Sequence, residues 1–425
     1  MRKIVITGMG AITPIGNSVA AYSQALFKGQ SGAGPITRFD AQRYKTRFGC
    51  EVKNFDATQY FDATQYMDRA EARKMDLVSQ FAMAAAVQAI EQSMPQRNGI
   101  DPTRIGVIIG AANGGPTTYE IQVKQFAQGD GIPAFTPHFI PMMMANAIPA
   151  NICNRFGFMG MNYTTVAACA SSSIAIADAM NKTRYGQADI MLAGGAEASI
   201  TEAAMGGFAA MRALSTNNDN ALTACRPFDS QRDGFVIGEG AVIFVLEEKG
   251  HALQRGANIL AELAGCAITS DAYHIAAPHP NGEGAARGML LALQDAGISP
   301  TDVDMVSAHA TATPTGDLCE AIALQKTFGN HLQSLPITAT KASHGHLLGG
   351  AGAIGLLSAM VAIAEQQVPP TINTAELDPA LPPGFGWITN QAQPHTIKVA
   401  LCNSFGFGGH NATIICKKPL TNVEV

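Results

Sequence analysis

Short apolar, β-branched runs recur along the chain at residues 4–7, 105–109, 190–193, 242–246, 305–308 and 399–402. They are apolar at consecutive positions rather than at alternate ones, which is the pattern of strands covered on both faces. Longer Ala-rich stretches at 77–93, 172–185, 284–296, 319–328 and 353–366 predict helices. Strands alternating with helices predict an α/β fold with buried, largely parallel sheets. The pattern also repeats on a larger scale. A strand runs into a small-residue turn and then a helix at 164–172, and again at 337–341 followed by 347–364. Each half later supplies a strand entering a Gly-rich turn, at 191–196 and at 401–411. The chain therefore reads as two similar halves, 1–255 and 256–425, joined near 254–257. A tandem hexapeptide, residues 55–60 repeated as 61–66, matches neither a helix turn nor a solenoid unit. It reads as a slipped duplication in a surface segment.

Composition narrows the class. Of 425 residues, 47% are hydrophobic and only 14% charged, so a large interior is expected and disorder is excluded. The net charge of −5 comes with no basic tract to grip phosphates, which argues against nucleic acid. No stretch is expected to reach the roughly 20 apolar residues of a membrane span, and the apolar run at residues 4–8 is too short for a signal peptide. The eight cysteines are scattered without a Cys-x-x-Cys pair, as in a reduced cytoplasmic protein.

Four segments carry candidate chemistry. Cys169 sits after an apolar strand and directly before Ala170-Ser171-Ser172-Ser173. A thiol at a helix N-terminus faces unpaired N–H groups and the positive end of the helix dipole, so its pKa is expected to fall. Taken alone, such a Cys equally packs as a small hydrophobe. His309 follows the strand at 305–307, and Lys341, His344 and His346 follow the strand at 337–339. Both segments lie just beyond strand ends, where crevices open in α/β sheets. Two neutral imidazoles there can donate to a thioester carbonyl and stabilise an enolate, and one can help activate a thiol. A zinc site from Cys169, His344 and His346 lacks a further local ligand. The Gly-rich turn around Phe405, Phe407, Gly408 and Gly409 can bring backbone amides close to a ligand. The amides of Cys169 and Phe407 form a candidate oxyanion hole.

These residues resemble the β-ketoacyl-ACP synthases, specifically the elongating type II enzymes. The resemblance runs nearly end to end and includes Arg226-Pro227-Phe228, Arg232-Asp233-Gly234-Phe235 and Ser270-Asp271-Ala272-Tyr273-His274. It implies a thiolase-like fold, two halves in a five-layer αβαβα arrangement, working without a cofactor as a cytoplasmic homodimer. It also implies acyl carrier protein as partner. An acyl chain would pass to Cys169, and malonyl-ACP would then decarboxylate and attack it. His309 and His346 would polarise the malonyl thioester and Lys341 would order the site. Phe407 would gate the acyl pocket, Thr311 and Thr313 would meet the pantetheine arm, and Phe208 and Phe405 would line the substrate site.

The chain departs from the family pattern in places. Gly355 stands where a Glu usually partners the Lys, so Lys341 is expected to lack its ion pair and to be less firmly held. Asn113 stands where an apolar residue walls the acyl pocket, which suggests a shorter, polar or unsaturated chain. His344 and Ala310 replace the commoner Thr and Gly. Together these changes suggest a specialised paralogue, of polyene or polyketide type. The alternative from another class is a non-catalytic subunit paired as a heterodimer with an active ketosynthase, although such subunits typically lose the Cys. Gly350-Ala351-Gly352-Ala353-Ile354-Gly355 spells a dinucleotide fingerprint but lacks the preceding strand. A thiolase would carry a second Cys near residues 406–411, and none is there.

Overall fold

The computed structural model describes residues 1–56, 69–94, 99–385 and 388–419. Residues 57–66 of the tandem hexapeptide lie outside them. Ten strands form one mixed sheet: β1 (Ile4–Ile12), β2 (Ile105–Gly110), β3 (Asn162–Thr165), β4 (Ile190–Glu197), β5 (Gly240–Glu248), β6 (Ala261–Ser270), β7 (Met305–Ser307), β8 (Ile337–Thr338), β9 (Val399–Gly406) and β10 (His410–Lys417). Their spatial order is β8-β7-β9-β10-β6-β1-β5-β4-β2-β3. Counted from the outer edge inward, the first half reads third, second, fourth, fifth, first strand, and the second half reads the same. β2 runs parallel to β3 and β4, and β7 runs parallel to β8 and β9. The remaining pairings are antiparallel, including the β1–β6 seam at Ile4–Ile6 against Ala261–Leu263.

The helices that frame the site are α1 (Leu77–Ser93), α2 (Pro116–Gln128), α3 (Phe139–Met143), α4 (Ser171–Arg184), α5 (Glu202–Ala210), α6 (Glu283–Ala296), α7 (Pro314–Phe328) and α8 (Ala351–Glu365). α4 and α8 pack against each other between the two halves of the sheet, where Ile176 and Met180 meet Ile354 and Leu357 in one cluster. α1 covers the outer face of the first half, and α6 with α7 covers that of the second. The layers are thus helix, sheet, helix, sheet, helix: a thiolase-like fold in which buried apolar strands need cover on both faces.

Local signals explain the helix boundaries. Asp76 caps α1 by accepting from the Val78 amide. Thr313 caps α7 by accepting from the Gly316 amide, with Pro314 at the first helical position. This makes α7 start five residues before the expected 319, because Thr-Pro-Thr-Gly is a helix start rather than a loop. β6 and β10 were absent from the sequence pattern. β6 alternates buried and half-exposed small residues instead of running apolar, and β10 was hidden behind the glycine turn.

The expectation of no membrane-length apolar stretch needs correction. Leu348–Glu365 has a mean hydropathy of 1.6 over 18 residues, long and apolar enough to span a bilayer. It lies mostly buried as the central α8, whose apolar surface is met on nearly every side by protein.

The halves meet with no clearance at Gly349. A Cβ there would lie 2.2 Å from the Ala112 nitrogen and 2.6 Å from the Ala111 carbonyl carbon, both backbone atoms. Gly349→Ala is expected to cost about 2 kcal/mol or more by forced backbone displacement. Urea denaturation of the two proteins side by side checks this.

Candidate active site

The chemistry-bearing loops follow equivalent strands in the two halves. Asn113 follows β2 and His309 follows β7; Cys169 follows β3, and Lys341 with His346 follows β8. Glu197 ends β4, and Phe405 and Phe407 lie at the end of β9. All six loops leave the C-terminal ends of their strands, where a parallel sheet opens its crevice. They converge on a cavity of about 670 Å³. Cys169, His309, His346, Asn113, Phe208, Thr311, Thr313, Phe405 and Phe407 all line it, and Lys341 lies behind its wall.

Cys169 sits on a tight turn. Ala168 has φ 47°, a left-handed conformation that costs a β-carbon-bearing residue on the order of 1–3 kcal/mol. The Ser171 hydroxyl donates to the Ala168 carbonyl at 2.6 Å and accepts from the Ala167 amide at 2.9 Å, holding the turn. The sulfur lies 3.0 Å from Nε2 of His346. The His309 and His346 rings stand 5.4 Å apart at 82°. Phe235 packs edge-on against His346 at 5.3 Å, and Phe208 packs against Phe235 at 5.2 Å.

The thiol pKa does not fall as the helix N-terminus suggested. Burial pushes Cys169 up to about 12; Lys341 opposes this and the Glu197 carboxylate adds to it. The backbone amides of Phe407 and of Cys169 itself face the sulfur and favour its anion, as an oxyanion hole would, but they do not outweigh the loss of water. Burial together with the Lys341 charge holds His309 and His346 well below the ordinary imidazole pKa, so both rings are neutral. Nδ1 of each is buried with no hydrogen-bond partner, an unmet capacity typical of ligand sites.

Lys341 is held despite Gly355. Its ammonium donates to the His309 carbonyl oxygen. Burial lowers its pKa, and among the opposing charges Glu320 does most to retain the proton. Glu320, one face of α7, also accepts from the amides of His309 and Ala310 at 2.9 and 2.6 Å. Asp317, three residues earlier on α7, accepts from the Thr311 amide at 2.9 Å. These carboxylates support the whole His309 loop, so the expected loosening of Lys341 is corrected. The signal was available in the sequence: two acids three apart on the buried side of an otherwise apolar helix.

Asn113 is also corrected in part. It lines the cavity, but its carboxamide nitrogen donates to the Ser199 hydroxyl at 3.0 Å and reaches a Glu197 oxygen at 3.5 Å. Its polar end is therefore engaged with protein. Thr311 and Thr313 place their hydroxyl oxygens 3.0 Å apart at the cavity wall. Sequence reasoning missed Glu197. Its buried carboxylate accepts from the Ala112 amide at 2.9 Å and the Gly349 amide at 3.0 Å, one from each half, and from the Ser199 hydroxyl at 2.5 Å.

A strand-end Cys–His–His cavity built across a duplicated α/β scaffold defines an acyl-transferring condensing site. The family description "Beta-ketoacyl synthase, N-terminal domain" matches residues 1–252 and "Beta-ketoacyl synthase, C-terminal domain" matches 260–375. The chain belongs to the β-ketoacyl synthase family. It is 46% identical over 417 residues to a 3-oxoacyl-[acyl-carrier-protein] synthase 2 of Synechocystis sp., covering 98% of each chain. Among solved structures it is similar to the ishigamide ketosynthase/chain length factor, with a TM-score of 0.90, 32% identity, and 99% and 100% of the two chains covered. It is similar as well to a ketosynthase solved with its type II polyketide acyl-carrier protein and a hexaketide, with a TM-score of 0.89, 31% identity and the same coverage.

The Glu197 carboxyl offers a pH test. Burial raises it from the ordinary 4.5 to about 7, so the folded chain keeps a proton that the unfolded chain has lost. Its contribution to stability therefore falls as pH rises from about 4.5 to about 7. Glu197→Gln lacks this titration. The stability of wild type minus that of the variant is expected to decline across this window and to be flat above it, in urea denaturation at pH 5 to 8. Asp317, also raised to about 7, is common to both proteins and cancels.

Proposed function

We propose that this chain is a β-ketoacyl-ACP synthase that condenses a Cys169-bound acyl group with malonyl-ACP. The observation that carries the reading is the 3.0 Å contact between Cys169 and His346 inside a cavity that also holds His309. In the first half-reaction the thiol gives its proton to His346 Nε2 as sulfur attacks the acyl-ACP thioester carbonyl. The Cys169 and Phe407 amides hold the oxyanion, and the leaving pantetheine sulfur takes the proton back. In the second, malonyl-ACP loses carbon dioxide, and N–H groups of His309 and His346 stabilise the enolate oxygen. The enolate carbon attacks the acyl-Cys169 carbonyl, the thiolate leaves, and a proton from solvent restores the thiol. Lys341 is the ordering charge behind the pair. Thr311 and Thr313 meet the pantetheine arm, while Phe208, Phe405 and Asn113 wall the acyl chain and Phe407 gates it. In this reading the first half, 1–255, supplies the nucleophile and the second, 256–425, the decarboxylating pair.

The partner is acyl carrier protein, supported by the similar ketosynthase solved with one. The chain acts in the cytoplasm. The assembly is a homodimer through the open edge of β3 and the neighbouring α2–α3 excursion. Tyr119, Ile121, Phe126, Phe135 and Ile140 are exposed there and Val166 is 63% exposed, whereas monomers protect free sheet edges. No geometric feature favours the non-catalytic subunit, because thiol and imidazole remain in hydrogen-bond contact. The 46% relative favours general chain elongation, and Asn113 is the feature in favour of a specialised acyl group.

Intact mass after incubation with acyl-ACPs of varied length tests the reading. Wild type is expected to gain one acyl group, which malonyl-ACP then discharges as a ketoacyl product, and Cys169→Ala to gain none. His309→Ala is expected to keep acylation and lose condensation at least 100-fold. Asn113→Ile is expected to shift the preferred acyl chain in the same assay. No acylation with any donor sinks the synthase reading.

A further inference from the structure

His344 takes no part in the chemistry above, yet it is 1% exposed and within a few residues of both Lys341 and His346. Its Nδ1 lies 2.8 Å from the Gly345 carbonyl and its Nε2 lies 3.1 Å from the Thr340 hydroxyl. Gly345 immediately precedes His346, and Thr340 immediately precedes Lys341. One imidazole therefore bridges the two ends of the segment that carries both side chains. The Thr340 hydroxyl continues to the Ser358 hydroxyl at 2.9 Å, and Ser358 to the Tyr22 hydroxyl at 2.7 Å. Ser358 belongs to α8, and Tyr22 and Ser358 are both fully buried.

Proton counting fixes the direction of the bonds at His344. Burial and the Lys341 charge lower His344 to about 3, so the ring is neutral and has one donor and one acceptor. The Gly345 carbonyl can only accept, so Nδ1 carries the hydrogen and Nε2 accepts from Thr340. Thr340 has then used its only proton on His344 and can only accept from its other neighbours. The Ser358 hydroxyl donates to the Ile354 carbonyl at 2.8 Å and accepts from Tyr22. Thr340 to His344 to the Gly345 carbonyl is one consistent donor sequence, and it cannot reverse because its last member can only accept. Cooperative chains of this kind in a water-free interior hold their members in a single arrangement.

We propose that His344 is a positioning residue: its ring clasps the segment bearing Lys341 and His346 and ties it to α8. The clasp sets where His346 stands relative to Cys169, and where the Lys341 ammonium stands relative to the His309 carbonyl. A side chain at 344 without a donor and an acceptor cannot join both ends. The inference rests on the synthase reading, so wild type must first show condensation; if it does not, that reading fails and not this one.

The test compares His344→Phe, which keeps a ring but no hydrogen bonds, with His344→Gln, whose carboxamide can both donate and accept. Condensation is measured with acyl-ACP and malonyl-ACP at a temperature well below each variant's melting point. His344→Phe is expected to lose at least tenfold in kcat with KM for malonyl-ACP within threefold, and His344→Gln to recover to within about threefold of wild type. Thr340→Val, nearly isosteric and safe should the Phe variant not fold, is expected to lose kcat by at least fivefold. The Thr340→Val/His344→Phe double variant is expected to be no worse than the poorer single one. Wild-type kcat in Thr340→Val or His344→Phe overturns the proposal. So does an equal loss in the Phe and Gln variants, which would mean that only ring shape matters. Losses that multiply in the double variant overturn it as well, because a single clasp cannot be broken twice.

Discussion

The whole site depends on how closely the two halves of the chain approach at one seam. Glu197 ends a strand of the first half, and its carboxylate accepts amides from Ala112 in that half and from Gly349 in the other. On the same seam the Ala353 amide donates to the Ser172 hydroxyl at 3.0 Å, joining the start of α8 to the start of α4. Small residues are required wherever these helix starts meet, since a β-carbon at Gly349 has no room. The 3.0 Å between Cys169 and His346 is the product of that packing. The nucleophile and its partner belong to different halves, and neither half contains the contact by itself.

The seam also explains the electrostatics. Closing it excludes water, and each ionisable group in it moves toward its neutral form: Cys169 and Glu197 upward, His309, His346 and Lys341 downward. At rest the centre stores a protonated thiol among neutral imidazoles rather than a reactive ion pair. The amides facing the sulfur are already oriented, so negative charge is stabilised as it develops, without reorganisation.

The alternation of apolar runs and Ala-rich stretches revealed most of the sheet strands, the five longest helices and the duplication, because period and run length are local properties. Cys169, His309, Lys341 and His346 stood out because each followed a strand end. What stayed hidden was set by distance in space. Asp317 and Glu320 sit among Leu318, Cys319, Ala321 and Ile322 in the sequence, but only the packing of α7 shows them turned under the His309 loop. Glu197 lay one residue beyond the strand and turn read at 191–196, and its amide partners are 85 and 152 residues away in the chain. Asn113 was legible as a cavity residue, but not that Ser199 would take its polar end. The thiol pKa went the wrong way because a helix N-terminus is visible in sequence and burial is not. β6 escaped notice because half-covered small residues carry no strong strand signal.

The central position of β1 has a consequence for how the chain is made. β1 is almost wholly buried, and its neighbours β5 and β6 lie some 240 and 255 residues downstream. At ordinary translation rates of about 5–20 residues per second, those partners follow it by roughly 10–50 s. For that time this buried strand of the nascent chain has no sheet to join, while strands β2, β3 and β4 emerge after it. The five-strand unit of the first half cannot close in order of synthesis, and the join to the second half comes later still. Assembly is therefore governed by non-local closure, and residues 4–12 wait for both flanking strands before the middle of the sheet can form.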